Sequence, residues 1–336
     1  MILVTGGTGL LGSHLLLRLS QDNESIRAIS RDPSRSERVK RLFEYYDPEN
    51  GIQKFGKIEW VEGDILDVIA LEDAMKGVKK VYHCAGYVSF AEKHFHKLMK
   101  INREGTANVV NACIAFGIEK ICHVSSTAAL GTDHNGIVTE EVKWKQSPET
   151  SGYSLSKYSA EKEIWRGVEE GLNAVIVNPS VIFGAGNWDE SSMTIFRTVQ
   201  NGLDFYTSGS NAFVDARDVA EIMVRLMNSD VKNERFLCTG TNISFKDVTS
   251  MIAEKMGKNP PSVSAPKWLM GLAWRISWIS AKLRGKEPVV TKASARTAYT
   301  NTVYDASKVL QLLDIQFRPL EDTVSNAIQG RLDRTF

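Results

Sequence analysis

Tyr153 and Lys157 stand four residues apart in the run Tyr-Ser-Leu-Ser-Lys, so on a helix they share one face. A phenol with a pKa of about 10 is a poor acid or base at neutral pH. A lysine ammonium held beside it stabilises the phenolate and lowers that pKa, bringing the group toward useful proton transfer. Tyrosine and lysine at this spacing are common, so the pair gains meaning only from what precedes it.

What precedes it is a glycine loop. The apolar run Ile2–Thr5 leads directly into Thr5-Gly6-Gly7-Thr8-Gly9-Leu10-Leu11-Gly12, and an apolar helical pattern follows. Glycines at 6, 9 and 12 allow a tight turn, a close approach of backbone to a pyrophosphate, and close packing of helix on strand. Phosphates then sit at a helix N-terminus, where unpaired N–H groups and the helix dipole favour negative charge. Gly6, Thr8, Gly9, Leu10, Leu11 and Gly12 are therefore expected to bind a dinucleotide. About 20 residues further on, an acidic residue marks a free ribose 2′-hydroxyl and an arginine a 2′-phosphate. The chain reads Ala28-Ile29-Ser30-Arg31-Asp32-Pro33 there, with Arg35 nearby. Ser30 and Arg31 end the strand, while Asp32 lies one step beyond and before a proline, where it turns the chain. A planar guanidinium suits a phosphate, so the expected cofactor is NADP(H).

Stepping from these residues to their supports, short β-branched runs alternate with helical stretches, the pattern of a parallel sheet covered on both faces. Strands are expected at Ile2–Thr5, Ile26–Ser30, Ile58–Glu62, Lys80–Cys84, Lys120–Val124 and Ala174–Asn178, and helices at Leu10–Ser20, Arg35–Tyr46, Asp67–Met75 and Glu92–Phe116. Residues 127–149 form a polar loop. Beyond Asn178 helical pieces dominate, at Ser191–Gln200, Arg217–Asn228, Ser244–Met256, Lys267–Leu283 and Ala306–Leu313, with brief strand-like runs such as Phe236–Cys238. The fold class is α/β, a doubly wound parallel sheet with a smaller, mostly helical C-terminal substrate region. Residues 1–178 are assigned to cofactor and catalysis and 179–336 to substrate, the two partly interleaved.

Composition narrows the partners. A net charge of +1 leaves no field for nucleic acid. The cysteines Cys84, Cys113, Cys122 and Cys238 form no Cys-x-x-Cys pair, so no metal site is expected, and inert thiols suit a reducing cytosol. Met1 abuts the first strand, leaving no room for a targeting peptide, and cytoplasmic residence is the expectation. The Trp-rich stretch from Pro266 to Leu283 is an amphipathic helix lying on a membrane or lining an apolar pocket, or one packed on its own domain, the last being favoured.

The loop spacing is Thr-Gly-x-x-Gly-x-x-Gly rather than Gly-x-Gly-x-x-Gly. With the Tyr-x-x-x-Lys pair behind it, the chain resembles the extended short-chain dehydrogenase/reductase superfamily, the NAD-dependent epimerase/dehydratase family, whose fold is of the Rossmann type. The resemblance implies further roles. Ser126, in His123-Val124-Ser125-Ser126, matches the residue that holds the substrate oxygen beside Tyr153; Val124 borders the cofactor, and Ser125 is either structural or a contact to the nicotinamide side. Asn102 matches the asparagine of the central helix that supports the lysine through water. Asp64 and Ile65 resemble the segment that meets the adenine, although Asp64 equally suits a helix cap. Cys84-Ala85-Gly86 resembles the segment closing over the adenine ribose. Pro179 and Val181 match the strand end beneath the nicotinamide, where Asn178 and Phe183 replace the usual arginine and tyrosine.

The chemistry so implied is hydride transfer to or from a carbonyl carbon, with Tyr153 moving the proton and Lys157 tuning it. Thr127 and Ala128 after Ser126 argue against dehydration, which uses an acidic pair there. The stretch ending Phe213-Val-Asp215-Ala-Arg217-Asp218 lacks the arginine of nucleotide-sugar epimerases, although Arg197, Arg217 or Arg296 could serve a diphosphate. The C-terminal part is similar to dihydroflavonol reductases and 3β-hydroxysteroid dehydrogenases. A small apolar ketone, aldehyde or alcohol is thus the expected substrate, with Trp268, Trp274 and Trp278 on its side. An epimerase and a non-catalytic NADP-binding protein are the alternatives. The resemblance also implies a homodimer through the helices at 92–116 and after Ser151.

Overall fold

The computed structural model describes residues 1–22, 24–131, 136–148, 150–271, 274–275 and 291–332. Strands buried on both faces read as unbroken apolar runs, and β1 (Ile2–Thr5) is buried along its whole length. The remaining strands are β2 (Ile26–Ser30), β3 (Glu59–Glu62), β4 (Lys80–His83), β5 (Lys120–Val124) and β6 (Ile137–Val138). They continue with β7 (Ala174–Pro179), β8 (Val181–Phe183), β9 (Phe205–Tyr206), β10 (Ser210–Asp215), β11 (Glu234–Cys238), β12 (Thr241–Ser244), β13 (Val263–Ser264) and β14 (Val303–Tyr304). Seven of them form one sheet in the order β11-β7-β5-β4-β1-β2-β3, with every pairing parallel.

Successive residues of a strand face opposite layers, and the two sides of the sheet carry separate cores. Ile2, Val4, Val175 and Val177 pack with Leu15, Leu16 and Phe43 on one side. Leu3, Ala174 and Ile176 pack with Leu71, Val109 and Ile164 on the other. The helices that supply these layers are α1 (Leu10–Leu19), α2 (Ser36–Tyr46), α3 (Gly51–Phe55), α4 (Val68–Met75), α5 (Phe95–Leu98), α6 (Gly105–Ala115) and α7 (Gly152–Glu169). Strand order reverses at β1, which lies between β2 and β4. At such a switch point the loops diverge and leave a crevice beyond the carboxyl ends of the strands.

The helix expected over 92–116 is not regular. A 3₁₀ turn at Glu92–His94 and the short α5 lead into a π-helical segment, Met99–Glu104, before α6 begins. The wider π turn re-aims side chains, and such bulges gather at functional sites; this one carries Asn102. Arg103 of the π segment and Glu163 and Arg166 of α7 are joined by ion pairs of 3.3 and 3.0 Å within the chain.

Residues beyond 178 add to both parts of the molecule. The seventh strand is β11, paired to β7 at the sheet edge, and α9 (Ala216–Asn228) buries Val219, Ile222 and Met223 in the same core as α1. The smaller region has a three-stranded sheet of its own, β12-β10-β8. Against it lie α8 (Thr194–Gln200), α10 (Phe245–Lys255) and a helix at Leu320–Gln329 that the sequence pattern had not suggested, around Phe183, Phe196, Phe213 and Val324. Residues 267–271 are helical, but most of the stretch expected as a helix over 267–283 lies outside the described residues, Trp278 included. Among the described residues no helix is long and apolar enough to cross a membrane.

Candidate active site

The three loop glycines differ in what demands them. Gly6 has φ +70°, and a Cβ there would lie 2.5 Å from the Ala85 nitrogen. A Cβ on Gly12 would lie 2.2 Å from the Gly6 oxygen. Both are required by the protein itself, for the turn and for the contact of α1 with it. Gly9 is exposed, and a Cβ there would meet only the Gly6 oxygen, at 3.4 Å. The room beside Gly9 is left for something else. Its own N–H donates to the Gly6 oxygen at 3.1 Å, and Ser13 N–H donates back to the Gly9 oxygen at 2.9 Å, closing the first turn of α1. The amides of Leu10, Leu11 and Gly12 have no carbonyl one turn earlier to bond. An open backbone cradle at the positive end of a helix fits a pyrophosphate, and Thr8, half-buried, borders it.

Beside it, Arg31 is 60% exposed at the end of β2 and its guanidinium lies 4.0 Å from the Asp64 carboxylate. Asp64 also caps a turn, accepting from the Leu66 N–H at 3.0 Å, which is the capping role weighed for it. Ser30 is committed to the turn: its hydroxyl donates to the Asp32 oxygen at 2.9 Å. Asp32 in turn accepts from the Ser34 N–H. Ile65 is buried against Gly105. Cys84-Ala85-Gly86 runs over the end of β1, with Cys84 N–H on the Thr5 oxygen at 3.1 Å and Ala85 N–H on the Thr5 hydroxyl at 3.3 Å. Burial pushes the Cys84 thiol up to about 12, which leaves it inert.

Ser151 opens α7 by accepting from the Ser154 N–H at 3.1 Å, which fixes Tyr153 in the first turn. The Tyr153 hydroxyl bonds to the Ser126 side chain. Ser126 is itself oriented by the Ala128 N–H, 3.1 Å from its Oγ. Lys157 is buried one turn on, its Nζ donating to the Val124 oxygen at 2.7 Å. Loss of water lowers its pKa to about 8, opposed by the nearby Glu161. Tyr153 behaves differently from the sequence expectation. Its pKa is raised, because burial outweighs the Ser126 hydrogen bond. In this structure the pair is therefore a neutral phenol beside a lysine of reduced basicity.

Asn102 holds the other wall. Its Nδ2 donates to the Tyr87 oxygen and to the Ser156 Oγ, each at 2.9 Å, and its Oδ1 accepts from the Tyr87 N–H at 2.7 Å. The side chain thus clamps the segment after β4 onto α7, and a Cβ on Gly86 would fall 3.5 Å from Asn102 Oδ1 and 3.9 Å from Lys157 Nζ. Beneath, His83 bonds Thr5 at 2.7 Å and Thr106 at 2.9 Å, and burial drops its pKa to about 3. Pro179 ends β7 and Val181 begins β8, both at the carboxyl edge. The structure therefore gathers the loop, Ser126, Tyr153, Lys157, Asn102 and Gly86 at one crevice.

Three contributors, Phe90, Glu161 and Arg235, were missed from sequence, and Asn178 was marked there only as a replacement for an arginine. Phe90 lies edge-on to the Tyr153 ring with centroids 5.5 Å apart. Glu161, Asn178 and Arg235 form a buried network behind Lys157, the carboxylate receiving Asn178 Nδ2 at 2.5 Å and Arg235 at 3.4 Å. The spacing of Glu161, one further turn beyond Lys157, was the available signal. Of the tryptophans, Trp268 is 70% exposed and Trp274 stacks with Arg275 at 4.8 Å. Arg217 is held by Asp215 through contacts of 2.9 and 2.6 Å, and Arg197 by Asp189 at 3.0 Å. A separate recess of about 730 Å³ lies along α1 and α9, where the charges pair among themselves, as Arg18 does with Glu221. Among the described residues no cluster of metal-binding side chains occurs.

A seven-stranded parallel sheet with a glycine loop at its switch point and a Ser/Tyr/Lys constellation above it defines a dinucleotide-fold protein of the oxidoreductase and epimerase class. Residues 2–238 match the NAD dependent epimerase/dehydratase family, and the chain belongs to it. A protein of Synechocystis provisionally named dihydroflavonol 4-reductase is 28% identical over 335 residues, covering 97% of this chain and 92% of its own. Anthocyanidin reductase of Arabidopsis thaliana is 25% identical over 279 residues, with 76% and 80% covered. The crystal structure of gox2253 superimposes with a TM-score of 0.79 at 29% identity over 98% of this chain and 97% of its own. UDP-glucuronic acid 4-epimerase from Bacillus cereus, in complex with UDP-glucuronic acid and NAD, gives 0.74 at 19% identity, with 98% of each covered, a likeness of fold.

Proposed function

We propose that this chain is an NADP(H)-dependent reductase of a small, apolar ketone or aldehyde. The observation that carries the reading is a buried, neutral Tyr153 bonded to Ser126, with Lys157 one turn behind and the Phe90 ring against the phenol. The dinucleotide would lie on the cradle of Gly6, Gly9 and Gly12, with Arg31 and Lys157 on its riboses, and would supply the hydride. Ser126 donates to and orients the substrate oxygen. Tyr153, held protonated by burial, gives its proton to that oxygen as negative charge develops there. Lys157, positive below a pH of about 8, stabilises the phenolate left behind. Phe90 and Val88, each 46% exposed, offer the entering carbonyl an apolar wall. Reductase names among the relatives favour the same direction. Two of the three arginines suited to a diphosphate, Arg197 and Arg217, are occupied by Asp189 and Asp215, which favours an apolar substrate over a sugar nucleotide.

The test is NADPH oxidation followed against a panel of apolar ketones and aldehydes, with UDP-sugars included. Turnover of an apolar carbonyl is expected, together with a loss of at least a hundredfold in kcat for Tyr153→Phe, general acid catalysis being worth about 10²–10⁴. Turnover confined to UDP-sugars, or full activity in Tyr153→Phe with cofactor still bound, would overturn the proposal.

A further inference from the structure

A polar row crosses the interior of the sheet where apolar side chains would serve. On the face toward α6 and α7, Leu3, Val81 and Ile121 form a fully buried apolar row. Two residues nearer the carboxyl edge, on the same face, the row becomes Thr5, His83 and His123, each 0% exposed. Polar groups are costly there unless each finds a partner, and the partners of His83 fix where every proton lies. Thr106, also buried, gives its one hydroxyl proton to the Asn102 oxygen at 2.6 Å. It can therefore only accept from His83 Nε2, 2.9 Å away. Burial keeps the ring neutral, which leaves Nδ1 as an acceptor, and the Thr5 hydroxyl donates to it at 2.7 Å. The Thr5 oxygen in turn accepts the Ala85 N–H at 3.3 Å. The donors all point one way, from Ala85 through Thr5, His83 and Thr106 to the Asn102 oxygen, and bonds so aligned in a dry interior strengthen one another.

Both ends of this chain meet the crevice. The Ala85 backbone lies so close to the glycine loop that a Cβ on Gly6 would fall 2.5 Å from its nitrogen. Asn102 holds residues 85–87 twice: its side chain bonds the N–H and the carbonyl of Tyr87, and its own carbonyl ends the chain that starts at Ala85. Gly86, exposed, is suspended between the two anchors. We propose that Thr5, His83 and Thr106 are positioning residues, which together with Asn102 hold residues 85–87 at a fixed height over the glycine loop and so set the shape of the dinucleotide pocket. His83 and Thr106 act through the segment above them. The proposal rests on the dinucleotide cradle and is independent of which carbonyl is reduced.

The variant Thr106→Val keeps the shape and removes the hydroxyl, while Thr106→Ser keeps the hydroxyl. Each is titrated by fluorescence with NADPH and with NADH, after circular dichroism has shown it folded. A hydrogen bond that only stabilises the fold lowers the unfolding midpoint and leaves the dissociation constant of the folded protein where it was. Thr106→Val is expected to bind both dinucleotides about tenfold more weakly, and Thr106→Ser to bind them as the wild type does. An unchanged dissociation constant in folded Thr106→Val overturns the positioning role. Nitrogen NMR of the imidazole in cofactor-free protein supplies a second readout. The wild-type His83 ring is expected to be neutral with its proton on Nε2, and in Thr106→Val the proton moves to Nδ1, where Thr5 is the partner that remains. A cationic ring, or a wild-type proton on Nδ1, overturns the chain whether or not Thr106→Val folds. Failure of the wild type to bind either dinucleotide would sink the cradle itself, a result that the ring spectrum, read without cofactor, keeps distinct from failure of the chain.

Discussion

Burial shapes every titratable group at the crevice. It raises Tyr153, lowers Lys157 to about 8 and holds His83 neutral. The order of these effects suits an acid that donates in the reductive direction: the phenol arrives protonated, and the ammonium is present to receive the negative charge created on it. Arg31 lies outside this dry region, 60% exposed and 4.0 Å from Asp64. A 2′-phosphate would replace that loose, solvent-screened contact with charge-assisted hydrogen bonds worth roughly 1.5–3 kcal/mol. Arg31→Ala is therefore expected to weaken NADPH binding by roughly tenfold or more while leaving NADH binding nearly unchanged, as read by fluorescence titration of the two cofactors. Equal weakening of both, or of neither, removes Arg31 from cofactor choice.

The glycine loop shows how one element answers two demands. Gly12 is required by packing, since a Cβ 2.2 Å from a backbone oxygen forces the loop and α1 apart. Gly9 is free of the protein's own atoms apart from one oxygen at 3.4 Å. Gly12→Ala is expected to lose about 1–3 kcal/mol of stability in denaturant unfolding and cofactor affinity with it. Gly9→Ala is expected to unfold with the wild type yet bind NADPH about tenfold more weakly, or 1.4 kcal/mol. Normal binding by Gly9→Ala would remove the pyrophosphate from that cradle. The spacing of the loop could be read from sequence because glycine and the strand-to-helix change are local signals. The π segment carrying Asn102 was not legible, since its wider turn follows from how α6 and the segment after β4 meet, and the run 92–116 has ordinary helical spacing.

At the scale of the whole molecule, the sheet is built from residues far apart in the chain. Strand β11 closes its edge and α9 covers it, both lying beyond the point where the substrate region was expected to begin. Loss of Phe236, Leu237, Val219, Ile222 and Met223 from the core costs roughly 1.5–3 kcal/mol each, together of the order of a domain's entire stability of about 5–15 kcal/mol. The fragment 1–178 is accordingly expected to lack cooperative unfolding by circular dichroism and to bind no NADPH. A fragment that melts sharply and binds would show that the central sheet suffices without β11.

The same distinction runs through the site. The amino-acid sequence by itself determined the parallel α/β class, the dinucleotide loop and the Tyr153/Lys157 pair, because hydrophobic period, glycine spacing and an i,i+4 relation are carried by neighbours in the chain. It also marked Ser126 and Asn102 through the resemblance of their segments. Only the tertiary structure decided that Tyr153 is held neutral and that Phe90 walls the phenol. It alone brought Glu161, Asn178 and Arg235 together on three different elements. Those outcomes depend on how far each group is removed from water and on which distant side chain fills the space beside it, and neither is set until the sheet has closed.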